Sequence, residues 1–228
     1  MLIKSESFCV SNAQTQTLSR CELELLTTFG KKIEYAKAGQ QIFDQGQQSK
    51  KLYFLVQGVV KISRLLMDGE RHVLAFKWPC SFFGMKQDGV FANHAQTLTP
   101  CVMYEFESDA FAQALIAYPS VQMKVLQLAL NHISTAHRQL IVVGRLGAQR
   151  ALAAFLLECA THKDYFNNET MVLTLPMSRY DIADYLGAAN ESVTRALTKL
   201  EANGMIRRAT PRELTLNIEK LKKLANLD

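Results

Sequence analysis

Twenty-four consecutive residues, from Ser120 to Val143, contain neither proline nor glycine. Within them Leu126, Ala129, Ile133, Ala136, Leu140 and Val143 recur at spacings of 3, 4, 3, 4 and 3. A helix gathers such positions into one narrow stripe, and an apolar stripe with this heptad spacing is the seam along which two helices pack. A second stripe, Val121, Val125, Leu128, His132, Thr135 and Gln139, is apolar only over its first two turns, which suits a helix that rests on a neighbouring domain at its start. The spacing predicts one dimerisation helix over 119–146, with one face for its own domain and one for the same helix of a second copy. A helix buried inside a single domain is the alternative.

Upstream the period changes. From Lys31 to about Phe106, short apolar runs such as Leu52 to Val56 and Val59 to Ile62 are separated by turn signals. These are Ala38-Gly39, Gln45-Gly46, Gln57-Gly58, Asp68-Gly69 and Asp88-Gly89, with Asp68-Gly69 the clearest hairpin tip because both residues tolerate positive φ. An antiparallel β roll, jelly-roll-like and preceded by an N-terminal helix, is expected over 1–118. Downstream, Gly144 to Gly147 marks a junction, and 147–228 is expected to be a second domain. It reads as a helix from Ala148 to about His162, a polar loop from Lys163 to Thr170 and a strand from Met171 to Leu175, ending at Pro176. The fold class is therefore α+β.

With 228 residues, 48% hydrophobic and 21% charged, the chain can bury one large core or two small ones. The amino terminus lacks a basic stretch followed by a long apolar run, and no window approaches the roughly 18 uncharged apolar residues that cross a bilayer. A cytoplasmic location with no membrane partner is expected. The five cysteines, at 9, 21, 80, 101 and 159, are widely spaced and form no CxxC pair, which opposes a disulfide framework and a compact zinc site. The net charge of +5 is spread thinly. It is +1 over 1–118 (12 basic, 11 acidic residues), +3 over 119–147 (3 and 0) and +1 over 148–228 (11 and 10), so no half of the chain is marked by charge alone.

Local pattern carries more. Ser178-Arg179-Tyr180-Asp181 has the form of a capping box, so a helix should start there and Gly187 should stop it. After Ala188-Ala189, a second helix from Asn190 to about Ala202 turns Val193, Ala196, Leu197 and Leu200 one way and Asn190, Glu191, Thr194, Arg195 and Thr198 the other. This is a helix-turn-helix. Its polar face suits a major groove. A carboxylate accepts from cytosine N4, a guanidinium forks onto guanine O6 and N7, and a threonine methyl meets the thymine methyl. Glu191 and Arg195, four residues apart, could instead pair with each other along the helix.

Asn203-Gly204 ends that helix, and Met205 to Arg208 and Glu213 to Leu216 alternate as strands around Thr210-Pro211-Arg212. The whole is a winged helix-turn-helix. From Thr194 to Arg212 the basic residues Arg195, Lys199, Arg207, Arg208 and Arg212 face one acid, Glu201, and suit DNA phosphates.

Together these features resemble the CRP/FNR family of bacterial transcription regulators over nearly the whole chain from about Leu18. The resemblance is carried by the run from Ala38 to Gly46, by Asp181 to Gly187 and by Glu191-Ser192-Val193-Thr194-Arg195. The glutamate-x-x-serine/threonine-arginine spelling looks like the FNR/FixK branch. It implies a homodimeric activator whose Glu191, Thr194 and Arg195 read a TTGA-type half-site, repeated as a palindrome in double-stranded DNA. It also implies RNA polymerase as a partner. Asn190 takes the place of a base-reading arginine of the CRP branch, and Ser178, Arg179 and Ser192 match phosphate-contacting positions.

The departures concern the signal. Closely spaced amino-terminal cysteines, as in FNR itself, are missing, since Cys9 and Cys21 stand alone, so no iron–sulfur cluster is expected. Where CRP holds its cyclic nucleotide with glycine-glutamate and arginine-serine, this chain has Gly84-Met85 and Phe91 to Gln96. A buried cyclic phosphate would lack its counter-charge, and no cAMP binding is expected. Cys80 could be a thiol sensor or an inert half-buried cysteine. His72, His94, His132 and His137 could ligate haem, as in some relatives, or be surface or hydrogen-bonded histidines. The seam contains no charge that would make dimerisation depend on an effector, so a constitutive dimer without cofactor is expected. The alternatives are a haem- or small-ligand-sensing regulator, a β-roll sensor acting through a protein partner, and a cupin-like metalloenzyme. The last would need clustered histidines and would leave everything after residue 148 without a role. No catalytic residue is expected.

Overall fold

The computed structural model describes residues 18–67, 69–84 and 89–225. The sequence readings at Cys9, Asp68, Met85 and Asp88 lie outside the described residues. The described chain divides into two compact units, 18–131 and 132–225.

The first unit opens with α1 (Arg20–Thr27), started by a capping box in which the Ser19 hydroxyl accepts from the Glu22 N–H (3.2 Å) and the Glu22 carboxylate accepts from the Ser19 N–H (2.8 Å). Eight strands follow: β1 (Lys31–Tyr35), β2 (Gln41–Phe43), β3 (Lys51–Gln57), β4 (Val60–Leu65), β5 (Arg71–Lys77), β6 (Ser81–Phe83), β7 (His94–Thr97) and β8 (Cys101–Glu107). They form two antiparallel four-stranded sheets, ordered β1-β8-β3-β6 and β2-β7-β4-β5. The predicted turns at Gly39, Gly46 and Gly58 fall between strands. At Gly58, φ is 93°, and a Cβ there would lie 2.3 Å from the Pro100 carbonyl oxygen, so only glycine closes the β3–β4 connection.

Strand β3 explains why Leu52 to Leu55 read as a continuous apolar run, for all four are buried. Tyr53 and Leu55 point into the roll with Phe43, Val60, Ile62, Phe83, Phe91 and Met103. Leu52 and Phe54 point the other way, into a cluster with Leu23 and Leu26 of α1. A strand covered on both faces loses the polar alternation of a half-exposed one.

The same outer cluster contains Phe111 and Ala114 of α2 (Ser108–Ala117), a helix within the span expected to be β roll. It also contains Val121 and Leu128 of α3 (Pro119–Arg145), with Val125 packed against it. The apolar start of the second stripe therefore rests on the roll. The seam residues do the opposite. Leu126, Ala129, Ile133, Ala136, Leu140 and Val143 are all exposed, Leu140 to 71%.

In the second unit the remainder of α3 turns Val142 inward and Gln139 donates its side-chain N–H to the Tyr185 carbonyl (2.7 Å). The core helix is α4 (Ala148–Cys159), with Ala151 to Leu156 all buried. Around it lie α5 (Arg179–Tyr185), α6 (Asn190–Ala202), α7 (Ile218–Ala225) and a sheet of four short strands ordered β11-β12-β10-β9. These are β9 (Phe166–Asn167), β10 (Val172–Thr174), β11 (Ile206–Arg208) and β12 (Glu213–Leu216). Lys163 to Thr170 was expected to be a loop. It contains β9 because Phe166, pairing with Leu173, is drawn into the core at 5% exposure. No helix among the described residues is long and apolar enough to cross a membrane.

Candidate nucleic-acid interface

Helix α5 starts as its sequence requires. The Ser178 hydroxyl accepts from the Asp181 N–H (3.1 Å) and donates to the Asp181 carboxylate (2.6 Å), which also accepts from the Ser178 N–H (3.0 Å). Ser178, expected at a phosphate, thus has its hydroxyl occupied by the cap. Arg179 and Tyr180, one step on, are exposed. Gly187 then takes φ 60°, and a Cβ there would meet Val143 at 2.9 Å, which allows the sharp turn into α6.

Helix α6 divides as its period predicts. Val193, Ala196, Leu197 and Leu200 are buried, while Glu191, Arg195, Thr198 and Lys199 are exposed. No ion pair joins Glu191 to Arg195 among the described residues, so both ends of this potential pair face outward. The Thr194 hydroxyl donates to the Asn190 carbonyl (2.9 Å), and that of Thr198 to the Thr194 carbonyl (3.2 Å). Once its hydroxyl is tied to backbone, a threonine offers a groove its methyl group. Ser192 is half-buried. Asn190 is half-buried, and its side-chain oxygen is enclosed and without a hydrogen-bond partner.

The wing presents Arg207 and Arg212 as exposed side chains. Arg208 is used differently. Its backbone N–H donates to Glu201 Oε1 (3.0 Å), and its Nε donates to Glu201 Oε2 (2.7 Å), which the terminal NH2 group also reaches. These bonds hold the Glu201 carboxyl below the ordinary carboxylate range. Nothing in the sequence marked Glu201 beyond its being the lone acid in a basic run, although its seven-residue spacing from Arg208 across Asn203-Gly204 was there to be read.

The roll's interior has another character. Phe43 stacks on Phe91 with ring centroids 3.9 Å apart, and Tyr53 stacks on Phe83 at 5.4 Å and on Phe43 at 5.6 Å. Gly84 takes φ 88°, and a Cβ there would lie 2.9 Å from Tyr53, 3.3 Å from Phe43 and 3.4 Å from Phe91. Aromatic rings close over the glycine at which the resemblance would seat a cyclic nucleotide. His94 is buried, its Nδ1 2.7 Å from Asp44 Oδ1, while His72 and His132 are half-buried and His137 is exposed. Among the described residues no three His, Cys, Asp or Glu side chains gather to hold a metal ion. Cys21, Cys101 and Cys159 are free thiols. Cys80, half-buried, takes φ 68° on the β5–β6 turn.

Comparison with known proteins covers both units. Residues 33–118 match the cyclic nucleotide-binding domain and residues 150–227 the Crp-like helix-turn-helix domain. The chain is 34% identical over 191 residues to the nitrogen fixation regulation protein FixK of Rhizobium meliloti, covering 84% of each chain. It is 30% identical over 196 residues to the FixK of Bradyrhizobium diazoefficiens, covering 86% of this chain and 82% of that one. Among solved structures it is similar to FixK2 from Bradyrhizobium japonicum, with a TM-score of 0.75 and 26% identity over 86% of this chain and 96% of the other.

Proposed function

This chain belongs to the CRP/FNR family of transcription regulators, on its FixK-like side, and we propose that it is a homodimeric activator reading a TTGA-type palindrome without cyclic nucleotide or iron–sulfur cluster. It is a DNA-binding regulator and not an enzyme. The observation that carries the finer reading is the face of α6. Glu191, Thr194 and Arg195 lie on one side of a helix whose other side is buried, and neither charge is paired with the other. In a major groove Arg195 forks onto guanine, Glu191 accepts from cytosine N4 and the Thr194 methyl packs on thymine. Arg179, Ser192, Lys199, Arg207 and Arg212 supply phosphate contacts that set register.

The dimer rests on α3. Its exposed stripe of Leu126, Ile133, Leu140 and Val143 is an apolar surface that a second copy would cover in parallel register. Two winged units then face two half-sites about one helical turn apart, which is why the site is a palindrome. Action as an activator is supported by relatives such as the transcriptional activatory protein AadR of Rhodopseudomonas palustris, 29% identical over 167 residues; RNA polymerase as partner and a cytoplasmic location belong to the same proposal. Absence of cAMP is supported by the rings packed over Gly84. A second reading, a small-ligand sensor, is favoured by the buried Ser63 Oγ, Asn93 Oδ1 and His94 Nε2, none of which has a hydrogen-bond partner. An absorption spectrum and native mass of protein purified without oxygen separate the two, a haem band or an added mass favouring the sensor.

The test of the main reading is a titration of fluorescent duplexes. A TTGA palindrome should bind far more tightly than a scrambled duplex, one dimer per duplex by light scattering. Equal affinity for both duplexes would refute base reading by α6.

A further inference from the structure

Arg208 was expected to hold a phosphate, yet its guanidinium is already committed. Glu201 sits in the last turn of α6 and Arg208 ends β11, so the ion pair between them ties the recognition helix to the wing. Both carboxylate oxygens are used, one on the Arg208 N–H and one on the guanidinium, and both side chains are one-third exposed. A guanidinium fork on a carboxylate is directional as well as strong, so it fixes an orientation in addition to a distance.

The rest of the wing is built to pass that orientation on. At its base the Met205 N–H donates to the Leu200 carbonyl (2.9 Å) and the Asn217 N–H to the Met205 carbonyl (2.8 Å). At its tip Thr210 Oγ1 accepts from the N–H groups of Arg212 (3.2 Å) and Glu213 (3.0 Å), and the Leu175 N–H donates to the Arg212 carbonyl (2.8 Å). Arg212 is thus held rigidly by its backbone while its side chain stays exposed. For Arg208 to reach a phosphate it would have to leave Glu201, exposing a bare carboxylate beside the DNA backbone, where it is repelled.

We propose that Glu201 and Arg208 form a clamp that sets the wing against the recognition helix. Arg208 is then a positioning residue, and Arg212 is the residue at the wing's tip that meets a phosphate. The inference rests on the proposed phosphate contact of Arg212.

The test measures DNA affinity of the full chain for the palindrome across a range of salt concentrations, with unfolding temperatures taken in parallel. Each lost phosphate contact makes the log–log slope shallower by about 0.9. R212A should do this once per half-site. E201Q and R208K should match it, and adding R212A to E201Q should change the slope no further. R208K also serves where E201Q fails to fold. A lysine would keep a simple phosphate contact but cannot fork onto Glu201. If R208K and E201Q keep the full slope while R212A lowers it, the clamp is refuted, whether or not the unfolding temperature drops. An unchanged slope in R212A overturns the proposal at its premise, the phosphate contact, and leaves base reading by α6 to be judged by its own test.

Discussion

Around Gly84 the roll turns Phe43, Tyr53, Phe83 and Phe91 inward until ring meets ring. Along α6 the second unit turns Glu191, Arg195 and Lys199 outward and pairs neither Glu191 nor Arg195 with the other. Both regions are matched by a domain of known type, one named for a cyclic nucleotide and one for a helix-turn-helix. The difference lies in what each leaves unspent. A solvated face that keeps forked donors and acceptors free has capacity for an outside partner. The aromatic part of the roll's interior, by stacking ring on ring, has used that capacity on itself.

The sharpest way to break this contrast is Phe91→Ala. Phe91 is 2% exposed and lies 3.9 Å from Phe43, centroid to centroid, so its loss should cost about 3–5 kcal/mol of stability. Chemical unfolding followed by tyrosine and tryptophan fluorescence would measure it. The folded variant should still discriminate the palindrome. A cost below about 1 kcal/mol would mean that the rings are loosely held and that the roll keeps room for a ligand.

Titration separates the two units at opposite ends of the pH scale. Burial pushes the His162 imidazole down to about 4 in the winged unit and the Lys77 ammonium down to about 8 in the roll. Between about 4 and 6.5 the unfolded His162 binds the proton more readily than the folded one, so stability falls as pH drops through that window and is fully present above it. For Lys77 the corresponding window runs from about 8 to 10.5, and stability rises with pH across it. Each effect should reach about 2–3 kcal/mol after allowance for the partial exposure of both side chains. Unfolding of His162→Gln should lose most of the acid sensitivity, and Lys77→Met most of the alkaline gain. If neither substitution changes the pH profile, the assignment of these windows is wrong.

How far the chain could be read before its structure was known follows the same division. The helix-turn-helix was legible almost to the residue, because caps, glycine stops and a 3.6-residue period are local signals, whereas β9 and α7 of the same unit were not read. Ser178, Gly187 and the span Asn190–Ala202 all stand where the sequence put them. Long-range pairing was not legible. Arg208 is occupied by Glu201, and composition alone cannot tell a free arginine from a committed one. In the roll, the turns were visible. The stacking of Phe43 on Phe91 joins residues 48 apart and has no signature in either neighbourhood. Helix α2 was missed because Glu107 at its start supplies no side-chain cap and its apolar run is short.

On the DNA side, Arg195→Ala should cost about 1–3 kcal/mol for the base pair that the proposed reading assigns to it in each half-site. The loss should fall on the palindrome and spare scrambled DNA, since removal of a base contact relaxes specificity at that position. Competition titrations between the two duplexes would measure it. Full discrimination by the variant would move the reading face away from Arg195 and remove one side of the contrast.

Arg179→Ala is expected to have the smallest effect, and its distribution matters more than its size. Arg179 is exposed at the first position of α5, outside the cap that occupies Ser178 and one helix away from the base-reading face. A guanidinium there can neutralise a phosphate but cannot reach a base edge already served by α6. Its removal should therefore weaken palindrome and scrambled duplex by the same factor and make the salt slope shallower by about 0.9 per half-site. Should Arg179→Ala instead alter the preference between duplexes, α5 would share in sequence reading. The outward polarity of the second unit would then extend over both helices of the motif, instead of being concentrated on α6.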